Sequence, residues 1–265
     1  MLSIARELNN SETAFIFEAD SPDYDIEVRF FTPTTEVPIC GHATIAAHYV
    51  RAKETHMEGG TVVQKTKAGI LPVDVVRTPN DYSITMTQGT PAISAPFGDA
   101  VRERIADALG IAHEEICREY PVAVASTGHS KVMVPIYSNE LLHGLQPDLQ
   151  KLTKISKQIE CNGYYVFTLN PQNKILVHGR MFAPAIGIAE DPVTGNANGP
   201  LGAYLVHFNI LQDEDARCFD FDIMQGEAIK RDGTMHVHVE KEHGTPKLVQ
   251  ITGNAVIAFS TEITI

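Results

Sequence analysis

The sequence predicts an α+β protein of two similar domains in tandem, and three observations carry that prediction. Glu36-Val37-Pro38-Ile39-Cys40-Gly41-His42-Ala43 returns as Glu190-Asp191-Pro192-Val193-Thr194-Gly195-Asn196-Ala197, with Glu, Pro, Gly and Ala in register. Upstream of each octet stands the pattern Arg-x-Phe-x-Pro, at Arg29, Phe31 and Pro33 and again 151 residues later at Arg180, Phe182 and Pro184. The elements predicted around these blocks follow the same order both times, with a period far longer than that of solenoid repeats. The expected domains are 1–118 and 119–265, with the last strand able to return to the first.

Each element has a local reason. Ser3 is placed to cap a helix carrying Ile4, Ala5 and Leu8 that Asn9-Asn10 closes. Thr13 to Phe17 and the alternating Ile26 to Phe31 read as strands, the second stopped by Pro33. After the first octet, read as a loop, Ala43 to Arg51 has a helical apolar side. Strands follow at 61–65, 71–77 and 82–87. The Pro-containing stretch Gly89 to Gly98 reads as a linker, and Asp99 as the cap of a helix reaching Gly110.

The second half opens with strands at 122–125 and 131–136, then a helix at 149–159. The earlier order then returns: strands at 164–169 and 175–182, the Pro184 stop, the second octet and a helix from Gly199 to Phe208. From Cys218 to Ile265 the chain is strand-rich. Residues 122–150 have no counterpart in the first copy, so the first domain is expected to lack its N-terminal strands.

The chain has 265 residues, 43% of them hydrophobic, enough for a sizeable core. A net charge of -12 without a basic stripe argues against nucleic acid. No apolar run suits a membrane span and Met1 to Glu7 does not resemble a secretory signal, so the expected location is the cytoplasm. Cys40, Cys117, Cys161 and Cys218 lack CxxC spacing, which predicts no metal centre and no disulfide framework; all but Cys40 are expected to be plain buried thiols.

The chemistry is expected where the octets differ. Each ends in a Gly at the mouth of a predicted helix, where Gly41-His42-Ala43 and Gly195-Asn196-Ala197 can present backbone N–H groups to a carboxylate. His42 at such an end is expected to be neutral, because the positive dipole end disfavours imidazolium. Cys40 faces Thr194 in the repeat, so paired thiols are missing and an inert buried thiol is the simpler reading. Asp191 replaces Val37 in an otherwise apolar stretch, which suits a general acid or base; a turn Asp bonded to backbone accounts for it equally well. Glu12, just ahead of a strand, is either a catalytic carboxylate or a surface one.

Ser11 to Phe15, Arg29 to Pro33, Cys40 to Thr44 and Glu190 to Ala197 together resemble the PhzF-like (phenazine-biosynthesis) family, whose fold is that of diaminopimelate epimerase. The likeness covers essentially the whole chain and is greatest to uncharacterised bacterial members. It implies two pseudo-symmetric domains, each a strand-rich barrel around a central helix, with a site between them. It also implies a cofactor-independent isomerase that moves a proton on a small carboxylate substrate, and a homodimer. By the same resemblance Glu12 is the general acid/base, and His42 and Asp191 line the substrate. Gly41, Gly195 and Asn196 surround its carboxylate, and Ser11 assists.

Two departures qualify this. The phenazine isomerase has Ser where this chain has Asn196, which puts its own substrate in doubt. The epimerase has paired cysteines, so two-thiol epimerisation is disfavoured here. A non-catalytic small-acid binding protein on the same fold is the alternative, and a metal hydrolase using His236 and His238 is a weaker third reading.

Overall fold

In the computed structural model, which describes residues 1–262 other than 171, 174 and 212–215, the chain divides into two units. One is Met1–Thr87 with Thr252–Ile265, the other Gln88–Ile251. The division comes earlier than the expected 118/119 boundary, and strand pairing is the reason. Ala92 and Ile93, within the stretch expected to be a linker, form a short strand against Ser126 and Ala125. The helix Asp99–Leu109 packs on the helix Leu149–Ile159.

The first unit holds α1 (Leu2–Leu8), β1 (Thr13–Glu18), β2 (Ile26–Phe31), β3 (Glu36–Val37), α2 (Gly41–Thr55), β4 (Gly60–Thr66), β5 (Gly69–Arg77) and β6 (Tyr82–Thr87). Its sheet runs β1-β2-β4-β5-β6 with β3 on β2, and β2 pairs in parallel with β4. Alternation buries Ile26, Val28 and Phe30. α2 packs on β6, β1 and β5 and buries Ala43, Ile45, Ala47, His48 and Tyr49 against them, while Val50 and Glu54 leave one side open to solvent. It runs to Thr55, four residues beyond expectation, and closes on His56 in the left-handed region. Buried His48 bonds buried Gln64 at 3.0 Å, fixing helix to strand.

The second unit holds β7 (Ala92–Ile93), α3 (Asp99–Leu109), β8 (Ala123–Ser126), β9 (Lys131–Pro135), α4 (Asn139–Gly144), α5 (Leu149–Ile159), β10 (Tyr164–Leu169), β11 (Ile175–Ala183), β12 (Ile188–Asp191), α6 (Gly195–His207), β13 (Cys218–Gln225), β14 (Gly233–Glu242) and residues 245–251 of β15 (Thr245–Gly253). Its sheet runs β15-β14-β13-β11-β10-β9-β8-β7, with β12 on β11. Ile105 and Leu109 of α3 and Leu152 and Ile155 of α5 form one apolar core with Val132, Val134, Tyr164 and Val166.

Helix α6 packs on β14, β8, β7 and β9. It was expected to start at Gly199. It starts at Gly195 and carries Pro200 inside. Its glycines meet the neighbours closely: a Cβ on Gly199 would lie 1.9 Å from Gln88 Oε1, and one on Gly202 would lie 2.7 Å from Val237 Cγ1.

Other expectations need correction. Ser3 and Asp99 lie inside their helices, which begin after Met1 and Gly98 without a side-chain cap. Strands β3 and β12 occupy parts of the octets read as loops, and α4, capped by Ser138 accepting from Leu141 N, was not foreseen. The C-terminal strands end at Gly253, and residues 263–265 lie outside the described residues. Among the described residues no helix is long and apolar enough to cross a membrane.

The repeated Arg and Glu are partners. In the first unit Arg29 Nε and Nη2 donate to the two Glu36 carboxylate oxygens at 2.8 and 3.1 Å. In the second, Arg180 Nε and Nη2 donate to Glu190 at 2.9 and 2.7 Å, while Nη1 donates to the carbonyls of Leu142 and Leu145. Each guanidinium also lies over the ring two residues on, Phe31 or Phe182, at 5.3 and 5.0 Å. The shared Glu therefore ties the octet to the preceding strand. The second pair is the more buried, with side chains 8% and 11% exposed against 34% and 18% for the first.

Glu190→Gln leaves the Arg180 charge buried without its counterion, which is expected to destabilise the second unit by about 3–5 kcal/mol. Glu36→Gln is expected to shift stability far less, because water reaches Arg29. Urea unfolding of the two variants beside the parent checks the ordering.

Candidate functional site

In the first unit the turn into α2 brings together residues far apart in sequence. Cys40 is the extended residue before the helix, at φ −143° and ψ 121°, and its side chain does not cap the first turn. Its carbonyl accepts from Thr44 N and Thr44 Oγ1, and its sulfur turns to His42, 3.6 Å from Nδ1 and 3.7 Å from Nε2. His42 Nε2 lies 3.1 Å from Glu12 Oε2 and 3.5 Å from Ser11 Oγ. Pairing of Thr13 with Phe31, and of Phe31 with Glu36, carries Glu12 to the octet. Ser11, Glu12, Gly41 and His42 thus form one cluster, joined by Cys40.

The electrostatics reverse one expectation. Burial disfavours the imidazolium, but hydrogen bonds with Cys40 and Glu12, and the charges of both, outweigh it and push the His42 pKa up to about 11. The hydrogen bond from His42 holds Glu12 below the usual carboxylate range against the opposing effect of burial. The pair is imidazolium and carboxylate at neutral pH. The helix end alone suggested a neutral ring, and a carboxylate at 3.1 Å is the stronger influence.

In the second unit Asp191 ends β12 and accepts from Thr194 Oγ1 at 2.5 Å. Thr194 precedes α6 and, like Cys40, does not cap it. Gln225, from the end of β13, binds the whole turn: Nε2 donates to Asp191 O and Thr194 Oγ1, and Oε1 accepts from Thr194 N and Asn198 Nδ2. Gln88 Nε2 donates to Gly195 O at 3.3 Å. Asp191, Gly195 and Asn196 are thus gathered at one helix start in their own unit.

Gln225 and Gln88 were not foreseen, because nothing near them in sequence marks them. Lys131 was also missed: it is buried, its pKa is lowered by that burial, and the charges of Cys161 and Asp191 act against the lowering.

His236 and His238 pair with Asp222 and Asp220 directly across β13, at 2.9 and 2.8 Å. An exposed ion-pair ladder accounts for them. Cys218 is exposed, against expectation, because it begins β13 at the surface; Cys117 and Cys161 are buried. A concavity of about 910 Å³ lined by Arg217, His238, Glu240, Lys241 and Lys247 lies elsewhere in the second unit. Its mixed charges converge on no reacting position, so the clusters at the helix starts are the better candidates.

The phenazine biosynthesis-like protein family model, PhzC-PhzF, matches residues 1–261. An uncharacterized isomerase of Clostridium acetobutylicum is 54% identical over 264 residues, covering 99% of this chain and 87% of that protein. The trans-2,3-dihydro-3-hydroxyanthranilate isomerase of Pseudomonas chlororaphis is 28% identical over 258 residues, covering 97% and 85%. Among solved structures, a Bacillus anthracis phenazine biosynthesis protein of the PhzF family superposes with a TM-score of 0.88 at 30% identity, covering 100% of this chain and 88% of the other. With its α+β fold and its repeated octets, the chain belongs to the PhzC-PhzF family of phenazine biosynthesis-like proteins and is an isomerase.

Proposed function

We propose that this isomerase shifts a proton between carbons of a small carboxylate-bearing molecule, with Glu12 taking and returning the proton and no cofactor taking part. The observation that carries this reading is the Glu12–His42 ion pair at 3.1 Å beside the uncapped start of α2. Glu12 is ionised and able to accept a proton. When it does, the imidazolium loses its counterion and is left to stabilise negative charge on the substrate. The first-turn N–H groups of α2, at Gly41 and beyond, suit the substrate carboxylate.

The low basicity of Glu12 narrows the substrate. A carboxylate held below its usual range is a weak base, suited to a carbon already acidified by conjugation. A conjugated acid meets that requirement. The Pseudomonas chlororaphis relative is named for such a compound, and Asn196, where the phenazine isomerase has Ser, argues for a different member of the class. Asp191, Gly195 and Asn196 are carried as substrate-lining groups, and a homodimer belongs to the same proposal.

Glu12→Gln is expected to keep ligand affinity and lose solvent deuterium incorporation into the ligand. The measurement is mass spectrometry of candidate acids selected by thermal stabilisation, and exchange undiminished in the variant removes Glu12 from the role. A pH profile gives a second check, run with a chelator present. Glu12 has a lowered pKa, so its base form survives until the pH falls below the usual carboxylate range, and His42 keeps its charge until the pH approaches about 11. A rate flat through neutrality is expected. In His42→Asn the acid limb is expected to move upward, because burial of Glu12 is then opposed only by the lesser hydrogen bonds from Ser11 and Cys40.

A further inference from the structure

Glu12, Cys40 and His42 each offer one donor atom, and the three donors lie within 4.8 Å of one another; they are the only such His, Cys and carboxylate group among the described residues. In a tetrahedral zinc site, bond lengths of about 2.0–2.3 Å place N and O ligands about 3.3 Å apart and S and N ligands about 3.5 Å apart. Here Oε2 and Nε2 are 3.1 Å apart, close to one edge of a coordination tetrahedron. Sγ stands 3.7 Å from Nε2 and 3.6 Å from Nδ1, beside the ring, so the sulfur reaches a shared ion by turning about the Cys40 Cα–Cβ bond. The donor chemistry agrees, since a thiolate, an imidazole and a carboxylate together suit a borderline-soft divalent ion. Cys40 is extended and His42 helical, which turns both side chains toward Glu12 across Gly41. The His42 side chain is 38% exposed, which leaves a path for entry.

We infer that Glu12, Cys40 and His42 bind a divalent cation of the zinc type, with the fourth coordination position left to water or ligand. Binding releases the Nε2 proton of the imidazolium and the thiol proton of Cys40 to solvent, and no electron is transferred. The ion takes the place of the proton that joins His42 to Glu12. A bound ion engages the lone pair with which Glu12 would take a proton from carbon, so zinc becomes a reversible inhibitor. That consequence, though not the binding, rests on the proposed role of Glu12.

The test is titration of the reduced protein with Co²⁺, followed by its thiolate-to-cobalt absorption and by competition with Zn²⁺. One equivalent is expected to bind with a charge-transfer band that Zn²⁺ abolishes. Cys40→Ser should lose the band. Glu12→Gln should keep the band and bind more weakly by about tenfold or more, at least the usual effect of removing a partner one step further from the metal. Cys218→Ser, which removes the exposed thiol, should change neither. Circular dichroism shows whether each variant has folded, and Glu12→Gln keeps the test informative if Cys40→Ser has not. No band in the parent, or a band that survives Cys40→Ser, overturns the site. Cobalt bound with deuterium exchange undiminished would leave the metal site standing and remove Glu12 from the reaction.

Discussion

Both candidate clusters depend on the bidentate pairing of an arginine on one strand with the glutamate that opens the following octet. Arg29 with Glu36 and Arg180 with Glu190 hold the chain as it turns from strand to helix. Two parallel N–H···O bonds fix direction as well as distance. The guanidinium is pinned in turn by the aromatic ring beneath it. Glu36 is held far down, at a pKa of about 2, chiefly by its bond with Arg29, so the first pair persists at any ordinary pH. The second pair is deeper, and Arg180 also satisfies two carbonyls at the C-terminal end of α4, those of Leu142 and Leu145. The same clamp stands in both copies of the repeat.

What differs between the units is how the turn is occupied. In the first, the residue before the helix is Cys40, whose sulfur turns to His42, and the cluster contains charges of both signs. In the second, Thr194 occupies the same place and gives its hydroxyl proton to Asp191, with Gln225 filling the remaining hydrogen bonds. One turn is built around an ion pair and the other around a network of neutral donors that holds a carboxylate. The same backbone frame thus supports two electrostatic environments, one in each unit.

Much of this was legible in the sequence. The octet repeat and the Arg-x-Phe-x-Pro pattern identified the family, the α+β fold and the places where the helices open. Glu12, Ser11, Gly41 and His42 were named from the resemblance, and the structure gathers them in one cluster. What was not legible depends on distance through space. The Arg29–Glu36 bond needs the pairing of Phe31 with Glu36, which no local pattern encodes. The charge on His42 was misjudged because the helix end is visible in the sequence and the proximity of Glu12 is not. Gln225 reaches its turn from 31 residues away.

The glycines of α6 also limit how this protein can diverge. Gly199 closes against the Gln88 amide and Gly202 against Val237 and Val239, so any bulk added on that side of the helix forces these side chains to move. The N-terminal end of the helix is thereby held in register with its neighbours, and change at this turn falls most easily on the side chains that project from it, such as Asn196. Selection acting on this unit is channelled toward single-residue exchange rather than backbone remodelling.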